Sequence, residues 1–264
     1  MSNILTIAGS DTLGGGGLQA DLKTFEAFGH SGVSAVTCLA TVMPDQTFQI
    51  QNIETETVLA QIEAILHYVP LTTIKIGLIN DATTLEKIGH LLQKQPHLQI
   101  ITDPVLAFKE TTDKLQQHYL DSLKDVLLPQ SLVVTPNLVE AQLLSGLPQI
   151  QTRAELEQAA TIIQSLGPQH VVIKGGQRFP GDDAIDLLHS GTTNHYLSAP
   201  RLTSATRNGA GCTLSAAITA EIASGYAVYP AVKAAKQFVY HGIQNGIQLR
   251  HGFGNVRQGG SYEF

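Results

Sequence analysis

Short apolar runs alternate with amphipathic stretches along almost the whole chain. Apolar runs bounded by Gly, Pro or Asp read as buried strands, and a three-to-four residue apolar recurrence reads as a helix face. Strands are predicted over 4–8, 33–39, 50–53, 73–76, 99–102, 132–135 and 171–174, with a hairpin from 184–188 and 195–197 around Ser190-Gly191. Helices are predicted over 18–28, over a stretch carrying Val58, Ile62, Ile65 and Leu66, over 83–93 with Asp81 as N-cap, and over 115–126. Thr152-Arg153-Ala154-Glu155 is a capping box, after which Leu156, Ala159, Ile163 and Leu166 form a stripe that stops at Gly167-Pro168. Two further helices are predicted over 211–224 and, opened by Pro230 at its first position, to about 247. Strands alternating with helices imply an α/β fold with a mostly parallel sheet. No repeat, linker or break in composition is visible, so residues 1–264 are expected to form a single domain.

Composition narrows the function classes. At 43% hydrophobic residues with a formal charge of −6, and without a Lys/Arg run, the chain offers no footprint for nucleic acid or an anionic membrane. Cys38 and Cys212 stand far apart and outside any metal-type spacing, which fits a reducing compartment. The first residues lack a basic region and a long apolar core. A cytoplasmic protein is the expectation.

The chemistry gathers at strand ends. Asp11, Asp103, Asn137 and Lys174 each follow a predicted strand, where parallel α/β sheets bind ligands. The loop Gly14-Gly15-Gly16-Gly17 resembles a phosphate-binding loop but lacks the Gly-Lys-Ser/Thr ending, so a Walker A motif is rejected. In Asn208-Gly209-Ala210-Gly211-Cys212-Thr213, two glycines lead into a helix start, a seat for an anion, and a cysteine stands at its lip. Asn137 with Glu140 three positions on reads by itself as a capping box. Cys38, inside a strand, reads as core.

Read together, 8–25, Asp103-Pro104-Val105, 135–141, 173–176 and 208–217 resemble the hydroxymethylpyrimidine and phosphomethylpyrimidine kinases of the ribokinase-like superfamily, on whose template bacterial pyridoxine kinases are also built. The resemblance implies a three-layer α/β/α sandwich and ATP-dependent phosphorylation of the hydroxymethyl group of a small heteroaromatic ring, with Mg²⁺. It implies that Gly209, Ala210 and Gly211 form an anion hole and that Cys212 stands where sugar kinases place an aspartate base. A thiol at a helix N-terminus is acidified, which suits a base near neutral pH. By the same resemblance Lys174, Gly176, Asn137, Glu140, Thr213, Phe238 and Val239 would serve the nucleotide, and Asp103 with Glu140 the magnesium. Asp11, Gly17, Val42 and Lys109 would serve the acceptor, Lys109 opening a flap and the glycine loop closing over the ring. A homodimer is also implied.

Two departures bear on the ring. Val42 stands where the pyrimidine kinases resembled here carry a glutamine that pairs with the pyrimidine edge, and valine offers no such group. The Gly-Ala-Gly-Cys form, with stretches 140–146 and 167–176, is similar to the pyridoxine branch. The preferred acceptor is therefore pyridoxal, pyridoxine or pyridoxamine, with the pyrimidine second and a non-catalytic nucleotide- or vitamin-binding protein as the reading of another class. The tail Gly254-Asn255-Val256-Arg257-Gln258 departs from the family pattern and receives no role.

Overall fold

The computed structural model describes residues 1–106 and 113–259. In chain order its main elements are β1 (Asn3–Asp11), α1 (Gly17–Ala27), β2 (Ser31–Val42), β3 (Phe48–Asn52), α2 (Thr55–Tyr68), β4 (Leu71–Ile76), α3 (Ala82–Leu92), β5 (Gln99–Thr102), α4 (Asp113–Ser122), β6 (Ser131–Val134), α5 (Leu138–Ser145), α6 (Arg153–Ser165), β7 (His170–Gly176), β8 (Asp183–Ser190), β9 (Thr193–Pro200), α7 (Ala210–Ala223) and α8 (Val228–Gln244). These form two compact units, Met1–Asn80 with Leu202–Phe264, and Asp81–Arg201. The mostly parallel sheet with flanking helices is the α/β architecture that the alternating pattern predicts.

In the first unit β1 pairs in parallel with both β2 and β4, and β3 runs antiparallel on β2. Six successive residues of β1, Ile4 to Gly9, are buried, as expected of a strand covered on both faces. The register with β2 skips between Ala8 and Ser10, where a Cβ built on Gly9 would lie 2.6 Å from Cys38 Sγ. Glycine admits this close approach, and the kink aims the end of β1. Helix α7 is buried on nearly every side, and its Ala216 and Ala220 pack with Ile4 and Phe25. Small residues let neighbouring elements approach closely, so their run in α7 reflects packing. The same core holds a buried ion pair: Lys75 Nζ lies 2.8 Å from Asp21 Oδ1, and Thr6 donates to Asp21 Oδ2 at 2.6 Å.

In the second unit β5, β6 and β7 are parallel, and β7, β8 and β9 form an antiparallel meander. Local signals decide its helix starts. Asp81 caps α3 by accepting from the Thr84 amide at 2.6 Å. Thr152 and Glu155 close the capping box of α6, and Asn137 and Glu140 that of α5.

Three boundaries differ from expectation. The helix predicted over 115–126 is α4 followed by a π-turn, Leu123–Leu127. α8 starts at Val228, which makes Pro230 its third residue; the first-turn amides have no helical acceptor, so proline is tolerated there. α8 also stops earlier, at Gln244. Among the described residues, no helix is long and apolar enough to cross a membrane.

Candidate active site

The first polar assembly grows from the end of β1. Asp11 turns its carboxylate onto the loop that follows: Oδ1 accepts from the Leu13 amide at 2.9 Å, and Oδ2 from those of Gly15 and Gly16 at 3.1 and 2.7 Å. The loop carbonyls are held from other directions. Leu13 O accepts from Asn255 Nδ2, Gly14 O from Lys23 Nζ and Gly15 O from Gln258 Nε2, each at 2.9 Å. The loop of four glycines, expected to close over a ring, is pinned as a wall by these bonds. Backbone without side chains leaves its amides and carbonyls open to partners from elsewhere in the unit. Asp11, expected to touch the acceptor, organises that wall. Gly17, expected beside it, starts α1 at φ +57°, where a Cβ would lie 2.3 Å from Gly9 O.

The start of α7 meets this wall. Gly209 is its N-cap at φ +83°, and a Cβ there would fall 1.6 Å from Gly15 O, so no side chain fits. The first helical bond runs from the Thr213 amide to Gly209 O at 2.8 Å. Gly211 and Cys212 lie in the first turn of α7, at the end where the helix field is positive. Ala210, expected in the same anion hole, already donates to Arg207 O at 3.1 Å in a turn. Cys212 is only half-buried, unlike the fully buried Cys38, and a Cβ built on Gly16 would lie 3.8 Å from its sulfur.

The second polar assembly, in the other unit, carries full charges. Lys174 on β7 binds Asp103 Oδ1 at 2.6 Å, with the Asp103 side chain 1% exposed. Thr135 Oγ1 donates to the same oxygen at 3.2 Å. Glu140 is buried on α5 and accepts from the Asn137 amide at 2.7 Å. Burial pushes its carboxyl up to about 7; Lys174 pulls against that shift and Asp103 adds to it. Two carboxylates thus share one ammonium, a set of hard oxygen donors with surplus negative charge. That set fits Mg²⁺, which takes one or two carboxylates and keeps waters. Among the described residues no group of three or more His, Cys, Asp or Glu gathers as a complete metal cage. Asn137 spends its side-chain oxygen capping α5, on the Val139 and Glu140 amides. Gly176 takes φ +50° in open space and donates to Asp186 Oδ1 at 3.1 Å.

The other expected residues take the following places. Thr213 is fully buried, with its hydroxyl on Gly209 O at 2.8 Å. Phe238 packs on the Phe28 ring at 4.9 Å between centroids, and Val239 is buried in α8. Val42 ends β2, half-buried and paired with Phe48. Lys109 lies outside the described residues. Sequence reasoning missed Lys23, Asn208, Asn255 and Gln258. Only their departure from the family's tail could have drawn attention to the last two.

A glycine-capped helix start with a half-buried cysteine in its first turn, in a chain that also carries a Lys–carboxylate cluster at its strand ends, fits a phosphotransferase of the α/β class. The phosphomethylpyrimidine kinase family matches residues 11–257, and the chain belongs to that family. A pyridoxine kinase of Bacillus subtilis (strain 168) is 35% identical over 259 residues, covering 97% of this chain and 96% of that protein. A hydroxymethylpyrimidine/phosphomethylpyrimidine kinase of Haemophilus influenzae is 36% identical over 260 residues, covering 96% of each. The pyridoxal kinase of Staphylococcus aureus in complex with AMP-PCP and pyridoxal superposes with a TM-score of 0.91 at 34% identity, over 100% of this chain and 96% of that one. A phosphomethylpyrimidine kinase of Clostridium difficile 630 gives 0.78 at 31% identity, over 91% of this chain and 99% of that one. The fold is that of the ribokinase-like vitamin kinases, and the protein is a kinase.

Proposed function

We propose that the chain transfers the γ-phosphoryl group of ATP to the hydroxymethyl group of a vitamin B6 ring: pyridoxal, pyridoxine or pyridoxamine. The observation that carries the chemistry is the half-exposed Cys212 in the first turn of α7, beside a glycine wall that leaves no room for a side chain at Gly209. The Cys212 thiolate takes the proton of the acceptor hydroxyl, the alkoxide oxygen attacks the γ-phosphorus, and ADP leaves. The amides of Gly211 and Cys212, aided by the helix field, receive the negative charge of the transferring group. Lys174 meets the nucleotide phosphates, which exchange with Asp103 for its ammonium. Asp103 and Glu140 would hold Mg²⁺, which when bound neutralises phosphate charge. Asn137 acts through Glu140 by setting the start of α5, and Gly176 bares backbone to the nucleotide. Phe238 and Val239 support α8 from within, and Thr213 supports the helix start. Val42 meets the ring edge, and Lys109 belongs to the flap in this reading. Both units act as one kinase domain, in a homodimer that light scattering would test.

The AMP-PCP and pyridoxal complex of the Staphylococcus aureus relative supports both substrates, and its better superposition than the Clostridium difficile enzyme favours the B6 ring over the pyrimidine. The second reading, phosphorylation of hydroxymethylpyrimidine, is supported by the relatives that carry that name at similar identity. Competition between pyridoxine and hydroxymethylpyrimidine at equal concentration, with ATP consumption and product masses recorded, tests the choice. Preferential pyridoxine phosphate is the expected result. Dominant pyrimidine product would install the second reading, and tight ring binding without turnover would make the protein a binder.

A further inference from the structure

Three successive peptide units of the glycine loop are held at both ends. Between Leu13 and Gly14, the carbonyl accepts from Asn255 Nδ2 at 2.9 Å and the amide donates to Asp11 O at 2.9 Å. Between Gly14 and Gly15, the carbonyl accepts from Lys23 Nζ and the amide donates to Asp11 Oδ2. Between Gly15 and Gly16, the carbonyl accepts from Gln258 Nε2 and the amide again donates to Asp11 Oδ2. A peptide plane gripped on both sides cannot rotate about its flanking bonds, and glycine would otherwise allow that rotation.

Two of the three carbonyl partners come from the tail. Gln258 is 2% exposed and reaches Thr213 Oγ1 at 3.3 Å as well as Gly15 O. Asn255, 6% exposed, accepts from Asn208 Nδ2 at 2.9 Å while it donates to Leu13 O. The tail is itself tied to the approach of α7, with Val256 N donating to Asn208 O and Asn208 N to Gly254 O. Burying two primary amides carries a desolvation penalty that apolar side chains would avoid. Their value lies in direction, because a hydrogen bond orients a carbonyl and an apolar contact does not.

We propose that Gln258 and Asn255 are positioning residues for phosphoryl transfer: they set the wall from Leu13 to Gly16 against Gly209 and so fix the surroundings of the Cys212 sulfur and the first-turn amides of α7. The inference rests on the role given to Cys212 above. It assigns the tail a function in the reaction without contact to either substrate.

The test compares Gln258→Met, close in size but without the amide, Asn255→Leu, and Lys23→Met. Each is assayed for kcat, for KM of ATP and pyridoxine, for thermal unfolding, and for the rate of iodoacetamide alkylation of Cys212 across pH, assigned by mass spectrometry. For a wall displaced by a fraction of an ångström, kcat should fall ~10–100-fold in Gln258→Met, with KM for ATP within about twofold. Cys212 alkylation should change at least ~3-fold in the same variant. Lys23 is at the solvent edge, so Lys23→Met keeps the test open should the buried variants not fold; a several-fold fall in its kcat is expected. Folded variants with wild-type kcat and wild-type alkylation overturn the proposal, as does a loss of kcat that only follows the unfolded fraction. If the wild type phosphorylates no ring, the kinase reading fails, while the alkylation rates still decide the positioning role.

Discussion

The two polar assemblies work by different physics. At the start of α7 uncharged groups predominate, namely backbone amides, carbonyls, two asparagines and a glutamine, while Asp11 spends its carboxylate on loop amides and Lys23 its ammonium on Gly14 O. Around β7 the actors are a partly buried ammonium and two buried carboxylates. Neutral hydrogen bonds are directional and salt-insensitive, so they suit a region that must hold atoms still. Buried charges are strong but conditional, since each depends on its partner and on its protonation state. One region therefore supplies geometry and the other supplies field. Under the proposed mechanism, the contrast divides phosphoryl transfer into positioning and charge neutralisation, in different parts of the sequence.

The largest effect expected is from Cys212→Ala, which removes the proposed base and leaves the wall untouched. Turnover should fall ~10²–10⁴-fold while calorimetric ATP affinity stays within about twofold. Equal losses in both would make Cys212 a binding group and blur the contrast. Next, Lys174→Met strips the cation from Asp103 and Glu140 and should destabilise the fold by about 3–5 kcal/mol, read by denaturant unfolding. A neutral result would mean the cluster is solvated and its charges are weak.

Gly209→Ala probes the neutral region by crowding. Its Cβ would lie 1.6 Å from Gly15 O, whereas one on Gly225, also at positive φ, meets nothing within 4 Å. Gly209→Ala should therefore cost ~1–3 kcal/mol more than Gly225→Ala in thermal unfolding. Equal costs would show that the wall yields.

The charged region should also respond to pH. Burial raises the Glu140 carboxyl in the folded protein to about 7 from 4.5. A raised carboxyl favours the fold while it is protonated. Its stabilising share is complete below pH 4.5 and is lost as pH rises through about 7. In metal-free protein, Glu140→Gln should flatten stability across that window, and an unchanged slope would locate the titration elsewhere. The smallest effect expected is from Val42→Gln, which adds one hydrogen-bonding group of ~1 kcal/mol and so should move relative kcat/KM toward the pyrimidine by about fivefold. No movement would remove the ring-edge argument.

Much of this was legible in the chain. The apolar periodicity placed the strands and most helices, because burial selects side chains at the spacing of the element that carries them. Asp81, Thr152 with Glu155, and Asn137 with Glu140 announced their helix starts, since a cap bonds an amide two or three residues away. The pairing of a glycine-flanked helix start with a cysteine was equally local. The setting of Phe238 was not: an apolar residue at helical spacing carries no mark that announces its contact with the Phe28 ring.

What the sequence determined by itself is the set of elements, their order, and the reactive groups at their ends. Only the tertiary structure decided that Lys174 rests on Asp103, that the glycine loop is a wall, and that the tail holds it. The reason is range. Asn255 and Gln258 bond carbonyls 242 and 243 positions away, and a side-chain amide leaves no periodicity or spacing that reveals so distant an acceptor.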